Sequence, residues 1–121
     1  MVSALLLVSL LAILAGCGRH REPGPEINPN AYSAVLLDNN QVYFGKLDKA
    51  DSRYPVLTDV YYIQSQVNQE TKAVTNILVR RGNELHGPDR MFLNSRHILF
   101  IEPVGPNSKV AQLIETDKNK K

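Results

Sequence analysis

Thirty-two of the seventy-two residues between positions 31 and 102 are Ala, Val, Ile, Leu, Met, Phe or Tyr, and they fall in short runs divided by turn-forming residues. All five tyrosines and all three phenylalanines lie in this stretch. Runs of this length, rich in β-branched and aromatic side chains, favour strands over helices. Ala31 to Leu37 reads as a strand, followed by a tight turn at Asp38-Asn39-Asn40, because Asn tolerates positive φ. Gln41 to Leu47 forms the second strand, in which Val42 and Phe44 point one way and Tyr43 the other. Gly45 inside it marks a bend or bulge. After a polar loop, Pro55 introduces the longest strand, Val56 to about Gln66. Val56, Val60 and Tyr62 would lie on one of its faces and Leu57, Tyr61 and Ile63 on the other. Ala73 to Arg80 makes a fourth strand, and Gly82-Asn83 a turn. Shorter strands follow at Arg90 to Leu93 and at Arg96 to Glu102. Beyond Pro103, Asn107 or Ser108 can cap a short helix carrying Val110, Leu113 and Ile114 on one side, and Lys118 to Lys121 reads as a frayed basic tail.

Five or six short strands with regular turn signals predict a mainly β domain, a small barrel or sandwich spanning 31–103, with a C-terminal helix and tail over 104–121. No period of 20–50 residues recurs, so a solenoid is not supported. So small a core gains from a second copy added at an exposed strand edge. The net charge of +2 is too slight to argue for a nucleic-acid partner.

A different composition precedes the domain. Val2 to Gly16 is an apolar run free of ionisable side chains, and it ends in Leu14-Ala15-Gly16-Cys17 with the only cysteine of the chain. Its length suits a secretory signal helix better than a transmembrane span, which needs ~20 residues. Leu14-Ala15-Gly16-Cys17 resembles the lipobox of bacterial lipoproteins. The resemblance implies thiol lipidation at Cys17, cleavage of 1–16 just before it, and an extracytoplasmic domain held to membrane lipid. The other reading is a short retained anchor. It draws on the lack of Lys or Arg before the run and on Arg19 and Arg21 just after it, which by the positive-inside tendency favour the cytoplasmic side. Residues 17–30, with three prolines and two glycines after Cys17, read as an extended tether up to ~40 Å long. With Cys17 acylated, the domain holds no thiol, hence no disulfide and no thiolate metal site.

Residues that could carry chemistry are few. His20 lies in the tether; Glu84 and His86, two apart, would share a strand face, with Asp89 the nearest third ligand. Asp48, Asp51 and Asp59 lack the calcium-loop pattern. No nucleophile-elbow, phosphate-loop or zinc-protease motif occurs. The expectation is therefore a non-enzymatic chain without metal or other cofactor. Tyr43, Tyr61 and Tyr62, with Arg81, are the candidates for surface contact with protein or glycan, the alternative being that the rings pack on the second face of a closed barrel.

Two segments resemble the motifs of Sm-like barrels. Gly45-Lys46-Leu47-Asp48-Lys49-Ala50-Asp51 is similar to the first, and Leu78-Val79-Arg80-Arg81-Gly82-Asn83 to the second. The resemblance implies an SH3- or Sm-like barrel of five to six strands. In that family a loop Asn four residues after the Asp binds a base together with the Arg of the second motif; the matching position here is Pro55. Nucleic acid is thus an unfavoured partner, and a cytoplasm-facing Sm-like module is the alternative to the lipoprotein reading. The segments Gln41 to Leu47, Asp59 to Tyr62 and Gly82 to Pro88 also resemble short membrane-anchored proteins of reduced-genome bacteria, a likeness that implies no activity.

Overall fold

A computed structural model describes Gly18 and residues 23–120. The expected signal helix, Leu14, Ala15, Gly16 and Cys17, together with Arg19, His20 and Arg21, lie outside the described residues. Six strands follow one another: β1 Tyr32–Leu37, β2 Val42–Asp48, β3 Val56–Val67, β4 Val74–Arg80, β5 Arg90–Phe92 and β6 Ile98–Pro103. A 3-10 turn, Ser95–His97, precedes β6, and helix α1, Lys109–Lys118, closes the chain. All pairings are antiparallel, in the order β4-β3-β2-β1-β6, with β5 joined to the start of β3.

The mainly β class is as the sequence predicts, but the expected barrel or sandwich is replaced by one open sheet. No ladder joins β6 to β3, β4 or β5 among the described residues. One reason is local. β5 ends after three residues, and the chain then turns through Ser95–His97, capped by Asn94 Oδ1 accepting from Arg96 N at 3.1 Å. The strand expected from Arg96 therefore begins only at Ile98 and spends its bonds on β1. The other reason is β4, which pairs with the far half of β3 and runs away from the remaining strands as a two-stranded arm.

One residue decides which side chains are inside. Asp59 has φ +53°, and opposite it the β2–β3 register slips between Phe44 and Lys46. This bulge shifts the alternation, so Leu57 shares a face with Val60 and Tyr62, not with Tyr61 as strict period two predicts. The bend expected at Gly45 is there: a Cβ at this position would stand 2.8 Å from both Leu57 Cγ and Thr58 O. The core packs Val35, Tyr43, Leu47, Leu57, Val60 and Leu93, with Ile27, Tyr62, Met91 and Ile101 around them. Ile27, in the segment expected to be an extended tether, is half-buried against this core. Burial of its side chain outweighs the extended bias of the flanking prolines.

Candidate functional site

One corner of the sheet's second face, at Tyr32 and Tyr61, is covered by α1. Ser108 caps the helix, its Oγ accepting from Ala111 N at 3.1 Å, and Ile114 is its one buried side chain. Val110, Ala111 and Leu113 are half-buried beside it, and polar contacts beneath the helix add to this apolar seat. Tyr61 Oη donates to Asp117 Oδ2 at 2.9 Å, and Lys118 Nζ lies 3.3 Å from Asp59 Oδ2. Asp59 also accepts from Tyr32 Oη and, at 2.8 Å, from an Arg80 guanidinium nitrogen. Lys118 Nζ stands 4.9 Å from the centre of the Tyr32 ring, and Tyr32 meets Tyr61 edge to face at 6.3 Å. Lys118 is thus the last residue of a docked helix and not part of a frayed tail.

Burial alone would raise the pKa of Asp59. Hydrogen bonds from Tyr32 and Lys118, with the charges of Lys118 and Arg80, more than offset it and hold the carboxyl below its ordinary value. The phenols of Tyr32 and Tyr61 move upward, first through burial and then through their carboxylate partners Asp59 and Asp117. These tyrosines stay protonated donors at neutral pH.

The four residues expected at the surface divide between core and cleft. Tyr61 is 1% exposed and Tyr43 8%, so neither ring offers an open face. The alternative reading, burial on the second face, describes Tyr61, although an open sheet and a helix take the place of a closed barrel. Tyr43 packs in the main core against Tyr62, which is half-buried. Arg81 lines a cleft of about 590 Å³ with Asp59, Arg80, Gly82, Asn83, Asp89, Arg90 and Asp117. Its guanidinium carbon lies 5.9 Å from the Tyr43 ring centre, and its Nε 3.2 Å from Glu84 Oε1 without good hydrogen-bond alignment. Arg80 is committed to Asp59 and Arg90 to its neighbour Asp89. The cleft therefore sets Arg80, Arg81 and Arg90 against Asp59, Asp89 and Asp117, with little net charge to draw an ion of either sign.

Glu84 and His86 do not share a strand face, because residues 83–89 form a loop turned by Gly82 and Gly87, both at positive φ. Glu84 Oε2 accepts from Gly82 N at 2.8 Å, and this bond, with the nearby Arg81, holds the carboxyl below its ordinary value. No group of three or more His, Cys, Asp or Glu is placed to hold a metal among the described residues.

The segments similar to Sm motifs do not line one cavity. Asp48 and Asp51 border a groove with Pro23, Pro25, Ile27 and Pro29, while Arg81-Gly82-Asn83 border the arginine cleft. Pro55 is buried, and its carbonyl accepts from Leu93 N at 2.9 Å.

Sequence reasoning missed the Tyr32, Asp59, Arg80 and Lys118 cluster, whose members are spread over eighty-seven positions (32 to 118) with no local motif. The fold also locates the exposed strand edge that so small a core implies. Leu99 is 60% and Phe100 47% exposed on β6, and Val67 and Val74 protrude on the β3–β4 arm. Compared with known proteins, the chain matches no family model and no curated protein.

Proposed function

We propose that this chain is a non-enzymatic, lipid-anchored, extracytoplasmic β-domain that acts as an interaction or envelope-structural module. Anchoring rests on Leu14-Ala15-Gly16-Cys17, which resembles a lipobox, and on the proline-rich residues that follow. The observation that carries the interaction part is an open sheet whose edge strand β6 exposes two large apolar side chains, Leu99 and Phe100. Free strand edges take up a further strand, and soluble proteins commonly protect them with charge, proline or a covering element. The neutral arginine cleft and the separation of the two Sm-like segments favour a protein partner over nucleic acid.

An alkaline phosphatase fused after residue 30 tests the address. Phosphatase activity outside the inner membrane is expected. Its absence, with the fusion protein present in cells, would overturn the extracytoplasmic reading and favour the cytoplasm-facing Sm-like module.

A further inference from the structure

Residues 23–29 lie against the domain instead of leading away from it. Pro23, Ile27 and Pro29 border a groove of about 500 Å³ together with Leu47, Asp51 and Ile101. Ile27 is half-buried against the core cluster that contains Val35, Leu47 and Leu57. A turn joins the segment to β1: Ala31 N donates to Asn28 O at 3.2 Å, and Asn28 Oδ1 accepts from Asn30 N at 2.9 Å. The neighbouring loop is closed as well, by Ser52 N donating to Lys49 O at 2.9 Å. Pro23, Pro25 and Pro29 have little φ freedom to lose, so docking costs little chain entropy and one half-buried Ile serves as the anchor.

The groove marks one end of the sheet. Asp48 stands opposite Val56, the first residue of β3. That strand is twelve residues long, so its far end at Val67 lies about 36 Å away. The β3–β4 arm and the turn after Val67 form the opposite end of the molecule.

We propose that residues 23–29 are a docked strap that turns the Asp48–Asp51 end of the sheet toward the lipid bilayer and leaves the β3–β4 arm as the distal end. This placement rests on the membrane-anchored reading and deepens it by naming the face that meets the lipid. Covalent geometry sets the scale. Six residue steps separate Cys17 from Pro23, at most ~22 Å whatever their conformation, whereas fifteen steps separate Cys17 from Tyr32, at most ~54 Å. Docking therefore more than halves the leash. Glu26, Asp48 and Asp51 outnumber Lys49 at this end, so anionic head groups repel it at close range. The leash, and not adhesion, sets the approach.

Energy transfer to lipid tests the placement. The chain has no Trp and one thiol, Cys17, so a single Trp donor and a maleimide lipid can each be placed at one position. Coupling the full-length chain through Cys17 to phosphatidylcholine vesicles that carry a dansylated lipid makes the outcome independent of natural lipidation. Transfer from Asp51→Trp is expected to exceed that from Gln69→Trp, beyond the end of β3, roughly threefold, because the two sites differ in reach by the length of the strand. Adding Ile27→Asp should lower transfer from Asp51→Trp several-fold, since the leash then runs to Tyr32. Inserting about ten Gly-Ser residues between positions 22 and 23 should lower it too, with the strap and the core untouched. That insertion decides the matter if Ile27→Asp unfolds. In the Cys17→Ser chain in detergent, methyl NOEs from Ile27 to Leu47 and its core neighbours are expected with no membrane present. Equal transfer from positions 51 and 69, no change on insertion, or absent NOEs would overturn the strap. So would unchanged transfer in a folded Ile27→Asp chain. None of these results bears on lipid labelling of Cys17 in cells, whose absence would instead overturn the lipoprotein reading.

Discussion

The sheet has two unlike margins. At the Tyr61 corner, a strand face is covered by α1, and its polar atoms meet partners drawn from β1, β3, β4 and the helix itself. At the β6 edge, the strand pairs with β1 alone among the described residues, and two large apolar side chains, Leu99 and Phe100, are exposed. Both margins are built from aromatic and aliphatic residues. The difference is that the first is finished within the chain and the second is not. Internal closure makes a margin a source of stability, whereas an open margin contributes little to folding and remains free for association.

That contrast predicts graded effects of substitution. Tyr61→Ala should cost the most, about 3–5 kcal/mol in denaturant unfolding, because it removes a buried ring and strands Asp117. Asp59→Asn should cost about 1–3 kcal/mol, since Arg80 and Lys118 lose their shared carboxylate. It should also change the acid limb of the stability profile. The folded-state pKa of Asp59 is depressed below an unfolded value of about 3.9, so its contribution is present above that pH and is lost as pH falls through the lower, folded value. Unfolding followed from pH 6 down to pH 2 should show this loss in the native chain and less of it in Asp59→Asn. Ser108→Ala should cost about 1 kcal/mol and speed amide exchange in α1 while leaving β6 unchanged. Leu99→Ser should alter stability by no more than about 0.5 kcal/mol, because its side chain leaves little water on folding. A large loss from Leu99→Ser, or a small one from Tyr61→Ala, would erase the distinction between the margins.

Much of the fold was legible because its strands are short, apolar and separated by Asn, Gly and Pro. The first four expected strands match the observed ones closely, and Ser108, one of the two caps the sequence offers, caps α1. What escaped is non-local. Strict alternation put Leu57 with Tyr61, and only the left-handed Asp59 explains why Leu57 turns inward instead. Strand count predicts barrel closure, but closure depends on whether β5 continues into a ladder, which composition does not encode. Tyr43 and Tyr61 were proper candidates for contact as residue types, yet their hydroxyls find Gln41 and Asp117 inside the domain. Arg81 does border a cleft, but its neighbours cancel its charge. The Asp59 cluster was invisible because helix and strand meet only after folding.

A lipid on Cys17, as proposed above, would hold this open-edged domain at a membrane. Metabolic labelling with palmitate, followed by membrane fractionation, tests it most directly. The chain with Cys17 should take up label and remain with membranes after a salt wash, and Cys17→Ser should take up none. Equal labelling of the two, or no labelling of the native chain, would contradict the claim.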